Sequence, residues 1–188
     1  CQIIPKSGGF DPSEVLTHFE QYNNVSCFFA PTMVKRLIEV QKNAGADTSG
    51  LKTIIYGGGP MYVEDSLTAL EVLGPKLVQI YGQGEAPMTI TALSRAAHLD
   101  TKHPSYLSRL ASVGKSRTDV EIRVADAEDQ PLDIGNVGEV LVRGDVVMKG
   151  YWQNPEATAQ TLRGGWLHTG DMSSLDEHGY LTLKDRSK

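Results

Sequence analysis

Residues 77–85 read LVQIYGQGE, an apolar run that gives way to an aromatic residue, two glycines and a carboxylate. The branched side chains of Val78 and Ile80 favour a strand, and the glycines remove side chains where backbone turns or a ligand approaches closely. Tyr81 offers a flat face for a base, and Glu85 offers a hard oxygen donor for Mg²⁺. The stretch therefore predicts a buried strand that ends at a ligand site. The alternative is a strand end with a glycine turn and a solvated Glu.

The segments before residue 77 alternate between helix and strand patterns. Helices are predicted from Asp11, from the cap residue Thr32, and over Val63 to Leu73, and strands are predicted over residues 25–30 and 52–56. Such βαβ alternation predicts a mostly parallel sheet covered by helices, with ligands beyond the carboxyl ends of the strands.

Two successive strands of this part end in glycine turns, GGGP at 57–60 and YGQGE at 81–85, which we expect on one edge of the sheet. Neither turn fits the phosphate loop GxxxxGK[ST] or the dinucleotide motif GxGxxG. A triple glycine leaves a bare backbone surface against which a planar base can lie. The alternative is a tight strand-to-helix turn.

From about residue 98 the helical pattern gives way to short alternating runs at 120–124, 139–143 and 180–184. These runs predict antiparallel strands with one solvated face. We therefore expect an α/β subdomain over residues 1–97 and a small β-barrel-like subdomain over residues 98–188.

The composition is that of a globular chain, with 188 residues, 40% of them hydrophobic and 22% charged. Eighteen Lys and Arg against 23 Asp and Glu give a net charge of −5 without a basic run, so no nucleic-acid partner is predicted. Cys1 and Cys27 form no CxxC pair, which predicts a reducing compartment, the cytoplasm. No apolar run reaches the ~20 residues that a transmembrane segment needs.

Five segments, in order, resemble motifs of the adenylate-forming (AMP-binding) family of acyl-CoA synthetases, aryl-CoA ligases, peptide-synthetase adenylation domains and luciferases. The resemblance covers nearly the whole chain. GGGP at 57–60 is similar to the adenine-side glycine loop, and YGQGE at 81–85 is similar to the YGxTE motif. GEVLVRG at 138–144 together with GYWQNPEAT at 150–158 is similar to a structural segment of the family. TGD at 169–171 is similar to the TGD motif, and DRSK at 185–188 is similar to the start of the (G/D)RxK hinge motif.

The resemblance implies a two-step ligase that uses ATP, Mg²⁺ and coenzyme A. A small-molecule carboxylate attacks the α-phosphate of ATP to give an acyl-adenylate and pyrophosphate, and a thiol then displaces AMP. Tyr81 would stack on adenine opposite the glycine loop, and Glu85 would act in catalysis by holding Mg²⁺. Asp171 would accept from both ribose hydroxyls, and Arg186 would donate to the ribose or a phosphate. The full nucleotide-binding set implied is Gly58, Gly59, Pro60, Tyr81, Gly82, Gly84, Asp171 and Arg186.

The chain departs from the family pattern in two ways. Gly84 stands where the family has a Thr whose hydroxyl contacts the AMP phosphate, a bond to a charged group typically worth ~1.5–3 kcal/mol. We expect a water or a neighbour such as Thr89 to substitute, or a weaker site. The upstream pyrophosphate loop and the C-terminal domain with its catalytic Lys have no counterpart here, and Lys188 falls at the hinge position. We therefore expect a piece of the large N-terminal domain that ends at the hinge.

These motifs predict part of an acyl-CoA synthetase for a fatty, aromatic or other acid, inactive as an isolated chain. One alternative is a peptide-synthetase adenylation domain, although the Asp that holds an amino-acid substrate in that group is not found before Ala30-Pro31. Another is a non-catalytic nucleotide-binding or interaction fragment. A sheet cut from a larger sheet leaves an open edge, which favours a dimer.

Overall fold

The computed structural model describes residues 1–186, and the side chains of residues 1–184. The chain divides into two compact units. The first contains Cys1–Gln79 and Ser94–Leu110, and the second contains Ile80–Leu93 and the chain from Ala111 onwards. Both units are discontinuous along the chain, whereas the sequence suggests a single boundary after residue 97; that boundary stays a prediction.

The first unit has strands in parallel with helices between them. In chain order its elements are α1 (Pro12–Gln21), β1 (Val25–Phe29), α2 (Pro31–Ala44), β2 (Leu51–Tyr56), α3 (Val63–Leu73), the first residues of β3 (Leu77–Gln83), α4 (Arg95–Leu99) and α5 (Tyr106–Leu110). Strand β1 pairs with β2, and β2 pairs with the start of β3, both in parallel. This arrangement confirms the predicted βαβ architecture.

Local sequence signals set the helices of this unit. The Asp11 side chain accepts from two backbone N–H groups at the start of α1, as expected for a cap. Helix α2 begins at Pro31 and not after Thr32, because a proline needs no backbone N–H at the first helical position. One face of α2 is buried, including Val34 and Leu37 at 0% exposure, and it packs into the core with Ile54 of β2.

The second unit contains the end of β3 and two groups of strands. The further elements of this unit are β4 (Ala86–Leu93), β5 (Lys115–Ser116), β6 (Glu121–Ala125), β7 (Gly138–Arg143), α6 (Pro155–Thr161), a short 3₁₀ helix (Arg163–Gly165), β8 (Leu167–Leu175) and β9 (Leu181–Arg186). Strands β3 and β4 are neighbours joined by the two-residue turn Gly84–Glu85, and β4 pairs antiparallel with β5. The last four strands form an antiparallel sheet in the order β6-β7-β8-β9, which confirms the predicted antiparallel half.

An aromatic–guanidinium stack lies beside the antiparallel sheet. The guanidinium carbons of Arg123 and Arg143 lie 3.7 Å and 4.4 Å from the ring centroid of Trp166. Arg143 also forms an ion pair with Glu121 on the neighbouring strand. Such cation–π contacts stabilise the ring that precedes β8. The other tryptophan, Trp152, is 90% exposed.

Among the described residues, no helix is both long enough and apolar enough to cross a membrane. Burial raises the pKa of the Cys27 thiol to about 12, so this side chain stays a neutral thiol at ordinary pH.

Candidate nucleotide site

The turn between β3 and β4 carries the residues that the sequence singles out. Tyr81 and Gln83 are two positions apart on β3, so their side chains project to the same face of the strand. Tyr81 is 7% exposed, and it belongs to the apolar core of the second unit. Glu85 follows at the end of the turn.

Asp171 on β8 accepts hydrogen bonds from both of these β3 side chains. The Tyr81 hydroxyl donates to Asp171 Oδ2 at 2.6 Å, and the Gln83 Nε2 donates to the same oxygen at 2.7 Å. Gln83 Nε2 also lies 2.9 Å from the carbonyl oxygen of Thr169, so it holds the strand as well as the carboxylate. Asp171 is only 5% exposed. Its carboxylate is therefore held in one orientation before any ligand arrives.

The backbone of β8 next to Asp171 is fixed by Glu139 of β7, where the register between the two strands shifts. Gly170 has φ +71°, a left-handed conformation that glycine adopts without strain, and its N–H donates to Glu139 Oε1 at 2.8 Å. The other oxygen of Glu139 lies 3.1 Å from His168 Nδ1. Thr169 Oγ1 donates to the carbonyl of Val140 at 2.8 Å. His168 thus pairs with Glu139.

Glu85 is tied to the segment that precedes α6. Its carbonyl oxygen accepts from the N–H of Met148 at 2.7 Å, and its Oε1 accepts from the Tyr151 hydroxyl at 2.5 Å. The hydrogen bond to Glu85 raises the pKa of the Tyr151 hydroxyl, and burial contributes in the same direction. The hydroxyl therefore stays protonated and remains a donor.

Glu85 fits a magnesium ion by its chemistry, although no group of three or more His, Cys, Asp or Glu side chains among residues 1–184 is arranged to hold a metal. Mg²⁺ prefers hard oxygen ligands, and nucleotide enzymes often supply only one or two carboxylates while substrate phosphates and waters complete the octahedron. A single carboxylate in the turn is therefore a sufficient protein ligand.

Gly82 of β3 and Gly84 of the turn differ in the space around them. A Cβ on Gly82 would lie 2.2 Å from the backbone nitrogen of Met88 and 2.6 Å from the carbonyl oxygen of Ala86. A Cβ on Gly84 would meet nothing within 4 Å. The Oγ1 of Thr89 is buried, and no described group hydrogen bonds to it. Its suggested replacement of the missing Thr hydroxyl stays a prediction.

The triple glycine lies in the first unit, after β2. Gly58, Gly59 and Pro60 are exposed, and Gly58 has φ +79°. The N–H of Gly57 donates to the Phe29 carbonyl at 3.3 Å, which anchors the start of the loop. The exposed backbone is consistent with a surface for a planar ligand, and the role of the loop and of Pro60 stays a prediction.

A buried pair holds the end of β2 just before this loop. Tyr56 is 1% exposed and His98 is 0% exposed. His98 Nδ1 lies 2.8 Å from the carbonyl oxygen of Ser94, which can only accept, so Nδ1 carries the proton. Nε2 then accepts from the Tyr56 hydroxyl at 3.0 Å, and the Tyr106 hydroxyl donates to the His98 carbonyl at 2.9 Å. Burial raises the pKa of Tyr56 to about 12 and lowers the pKa of His98.

We expect this His98 environment to make folding stability depend on pH. Because the folded-state pKa is depressed, the unfolded chain binds the proton more readily once the pH falls below about 6.5, the pKa of an unperturbed His. The stabilisation is present above that pH and is lost as the pH falls through the folded-state pKa. Thermal unfolding of wild type and His98→Gln, from about pH 7.5 to 5, checks this. The wild-type midpoint is expected to fall relative to the variant, by roughly 2–4 °C per kcal/mol.

The exposed His178 provides a matched control for that measurement, because His178→Gln is expected to keep the wild-type pH dependence. Identical pH profiles for wild type and His98→Gln would show that His98 is not protonated on unfolding.

The second unit thus carries Tyr81 and Gly82 on β3, Gly84 and Glu85 in the turn that follows, and Asp171 on β8, where it accepts from Tyr81. The backbone of Arg186 pairs with Asp171 between β8 and β9. The predicted hinge residue, Lys188, lies outside the described residues.

Sequence reasoning missed two polar residues of this site. Gln83 occupies the variable position of the YGxTE-like motif, and its spacing of two from Tyr81 was a signal that it shares the same face. Tyr151 lay in a segment interpreted only as structural, and its contact with Glu85 joins residues 66 positions apart, so no local pattern indicates it.

Comparisons with known proteins show the family to which the chain belongs. The model of the AMP-binding enzyme family matches residues 1–152, so the chain belongs to that family. The chain is 35% identical over 179 residues to the medium/long-chain-fatty-acid–CoA ligase FadD8 of Mycobacterium tuberculosis. That alignment covers 95% of this chain and 30% of FadD8. It is 37% identical, also over 179 residues, to a feruloyl-CoA synthase of an Amycolatopsis species, with coverage of 95% and 35%.

Among solved structures, the amide bond synthetase McbA from Marinactinospora thermotolerans superposes with a TM-score of 0.87 at 38% identity, over 95% of this chain and 35% of McbA. This match confirms the fold class predicted from the sequence. The chain spans about a third of the length of these relatives.

Proposed function

We propose that this chain forms part of an ATP-dependent carboxylate–CoA ligase. The observation that carries the proposal is the Asp171 carboxylate, held by the side chains of Tyr81 and Gln83 on one face of β3. A fixed carboxylate can accept from two neighbouring hydroxyls at once, as the ribose of ATP presents them. The CoA-ligase relatives support the choice of reaction.

In the proposed first step, an oxygen of the substrate carboxylate attacks the α-phosphorus of ATP. The bond to the bridging oxygen of pyrophosphate breaks, and acyl-adenylate and pyrophosphate result. Asp171 orients the ribose, Tyr81 takes the adenine, and Arg186 assists at the ribose or a phosphate. The adenine contact that the family resemblance implies for Gly58, Gly59 and Pro60 of the first unit stays a prediction. Glu85 would hold Mg²⁺, which when bound offsets the negative charge of the phosphates. Gly82 at the end of β3 and Gly84 in the turn shape the backbone beside the nucleotide.

In the proposed second step, the acceptor attacks the acyl carbon and AMP leaves. Coenzyme A is the acceptor that the ligase relatives favour, and its thiol gives a thioester. The similarity to McbA favours a second candidate, an amine acceptor that gives an amide. Both candidates share the adenylation step, so the site residues have the same roles in either case.

The test is acid-dependent pyrophosphate release by the intact protein, with ATP, Mg²⁺ and a panel of fatty and aromatic acids. We expect at least one acid to stimulate release, and coenzyme A to convert the adenylate to a thioester detected by mass spectrometry. An amide in the presence of amines, without thioester, would favour the second candidate. Release that no acid stimulates would contradict the proposed ligase activity.

The isolated 188-residue chain, assayed in parallel, is expected to stay at background. It has no pyrophosphate-loop motif and no counterpart of the catalytic Lys. Both would supply donors to the charge that develops on the phosphates, and the loss of one such preorganised donor commonly lowers the catalytic rate ~10²–10³-fold. A cytoplasmic location and a dimer stay predictions, which fractionation and ultracentrifugation of the intact protein would check.

A further inference from the structure

The carboxylate of Glu85 is restrained on one of its two oxygens. Oε1 accepts from the Tyr151 hydroxyl at 2.5 Å, and the Glu85 carbonyl accepts from Met148. No other described group makes a hydrogen bond or an ion pair with the Glu85 carboxylate. The second oxygen is therefore the one left for a ligand.

Tyr151 is itself held by the start of α6. The backbone N–H of Tyr151 donates to Thr158 Oγ1 at 2.9 Å, and the Thr158 hydroxyl in turn donates to the Asn154 carbonyl at 2.8 Å. The Asn154 side chain caps α6 by accepting from the N–H of Ala157. Gly150 has φ +149°, and a Cβ there would lie 2.7 Å from Thr158 Cγ2, so the backbone before Tyr151 fits closely against the helix. The start of α6 thus holds the backbone from which the phenol reaches Glu85.

A carboxylate with one oxygen engaged by a donor favours monodentate binding of a cation. Mg²⁺ accepts this geometry, because it takes six ligands at fixed octahedral positions and usually one oxygen from each carboxylate. Ca²⁺ takes six to eight oxygens and often uses both oxygens of one carboxylate. The tyrosine hydroxyl therefore opposes the coordination mode from which Ca²⁺ gains most.

We propose that Tyr151 is a positioning residue that restricts Glu85 to monodentate coordination and thereby sets the preference of this site for Mg²⁺ over Ca²⁺. The proposal rests on the proposed function, in which Glu85 is the metal carboxylate. It gives a site role to the GYWQNPEAT segment, which the sequence indicated only as structural.

The test compares two dissociation constants of α,β-methylene-ATP for the intact protein, one with saturating Mg²⁺ and one with saturating Ca²⁺, measured by calorimetry. In Tyr151→Phe we expect the ratio of the calcium constant to the magnesium constant to fall about tenfold, the low end for loss of a hydrogen bond to a charged group. Tyr106→Phe is the matched control, since it also removes one tyrosine hydroxyl bond, to the His98 carbonyl, and is expected to keep the wild-type ratio.

An unchanged ratio in folded Tyr151→Phe overturns the proposal. Should that variant fail to fold, Thr158→Val decides, because it removes the acceptor of the Tyr151 N–H and is expected to shift the ratio in the same direction by less. If the calcium-to-magnesium ratio changes in Glu85→Ala but not in Tyr151→Phe, the positioning role of Tyr151 is refuted and the proposed function stands. A wild-type ratio in Glu85→Ala would instead refute Glu85 as the metal ligand.

Discussion

Asp171→Ala is expected to weaken ATP binding to the intact protein by about 10²-fold, since one hydrogen bond to a charged group is typically worth ~1.5–3 kcal/mol. The substitution removes the proposed acceptor for the ribose hydroxyls. It also removes the carboxylate oxygen that the Tyr81 hydroxyl and the Gln83 amide share, although Gln83 keeps its bond to the Thr169 carbonyl. Loss of a hydrogen bond to a charged group typically costs ~1.5–3 kcal/mol, so folding stability falls as well. Calorimetric titration with ATP and thermal unfolding measure the two effects separately.

Asp171→Asn is expected to separate binding from stability. Its amide oxygen can turn toward Tyr81 and Gln83 and restore their acceptor, so folding stability stays near that of wild type. The amide nitrogen then replaces the other oxygen and donates where the carboxylate accepted, so ATP affinity falls to a value between wild type and Asp171→Ala. Asp133→Ala, an exposed change in the same unit, is the control. A folded Asp171→Ala protein with wild-type ATP affinity would rule out this carboxylate as the ribose acceptor.

Gly82→Ala is expected to lose about 3 kcal/mol of folding stability or more, at or beyond the upper end of the usual cost of overpacking. The added Cβ would meet the backbone of Met88 and Ala86 on the paired strand, and backbone in a strand pair cannot move aside as a flexible side chain can. We expect the substitution to separate β3 from β4 and with it to displace Tyr81 and Glu85. Denaturant unfolding followed by circular dichroism measures the loss.

Gly84→Ala is the matched control two residues away, and we expect it to change stability by less than about 0.5 kcal/mol. The space around Gly84 is open, so Gly84→Thr should also fold normally and keep or improve adenylation if the family's Thr role transfers to this position. Equal stability of the two alanine variants would contradict the packing found around Gly82. A folded Gly84→Thr protein without adenylation activity would show that the Thr role does not transfer.

The sequence predicts the elements with strong local signals. Helix α3 spans Val63–Leu73 as expected, because an acidic first turn and a glycine after Leu73 mark its ends. Strand β8 was missed, since HTGDMSSL has almost none of the branched apolar residues that mark strands. It forms through pairing with β7 and β9 on either side, a tertiary effect that no local window contains.

In the site, too, the local features could be predicted from the sequence and the long-range contacts could not. The spacing of Tyr81 and Gln83 is local, and the alternation of a strand places them on one face. The contact between Tyr81 and Asp171 joins residues 90 positions apart, so only the ordered motifs of the family indicated that both serve one nucleotide. Tyr56 and His98 lie in no family motif quoted above. Glu85 and Tyr151 lie in two such motifs, but Tyr151 belongs to the one interpreted as structural, so their contact was not predicted.

The unequal surroundings of the two tryptophans give the protein two optical reporters. Trp152 adjoins Tyr151 and is almost fully exposed, so iodide in solution reaches and quenches its fluorescence readily. Trp166 lies against the guanidinium groups of Arg123 and Arg143, and its emission follows the integrity of the antiparallel sheet. A metal or nucleotide that reorders the segment around Tyr151 should alter the quenchable fraction of the emission, whereas loss of the sheet should alter the remainder.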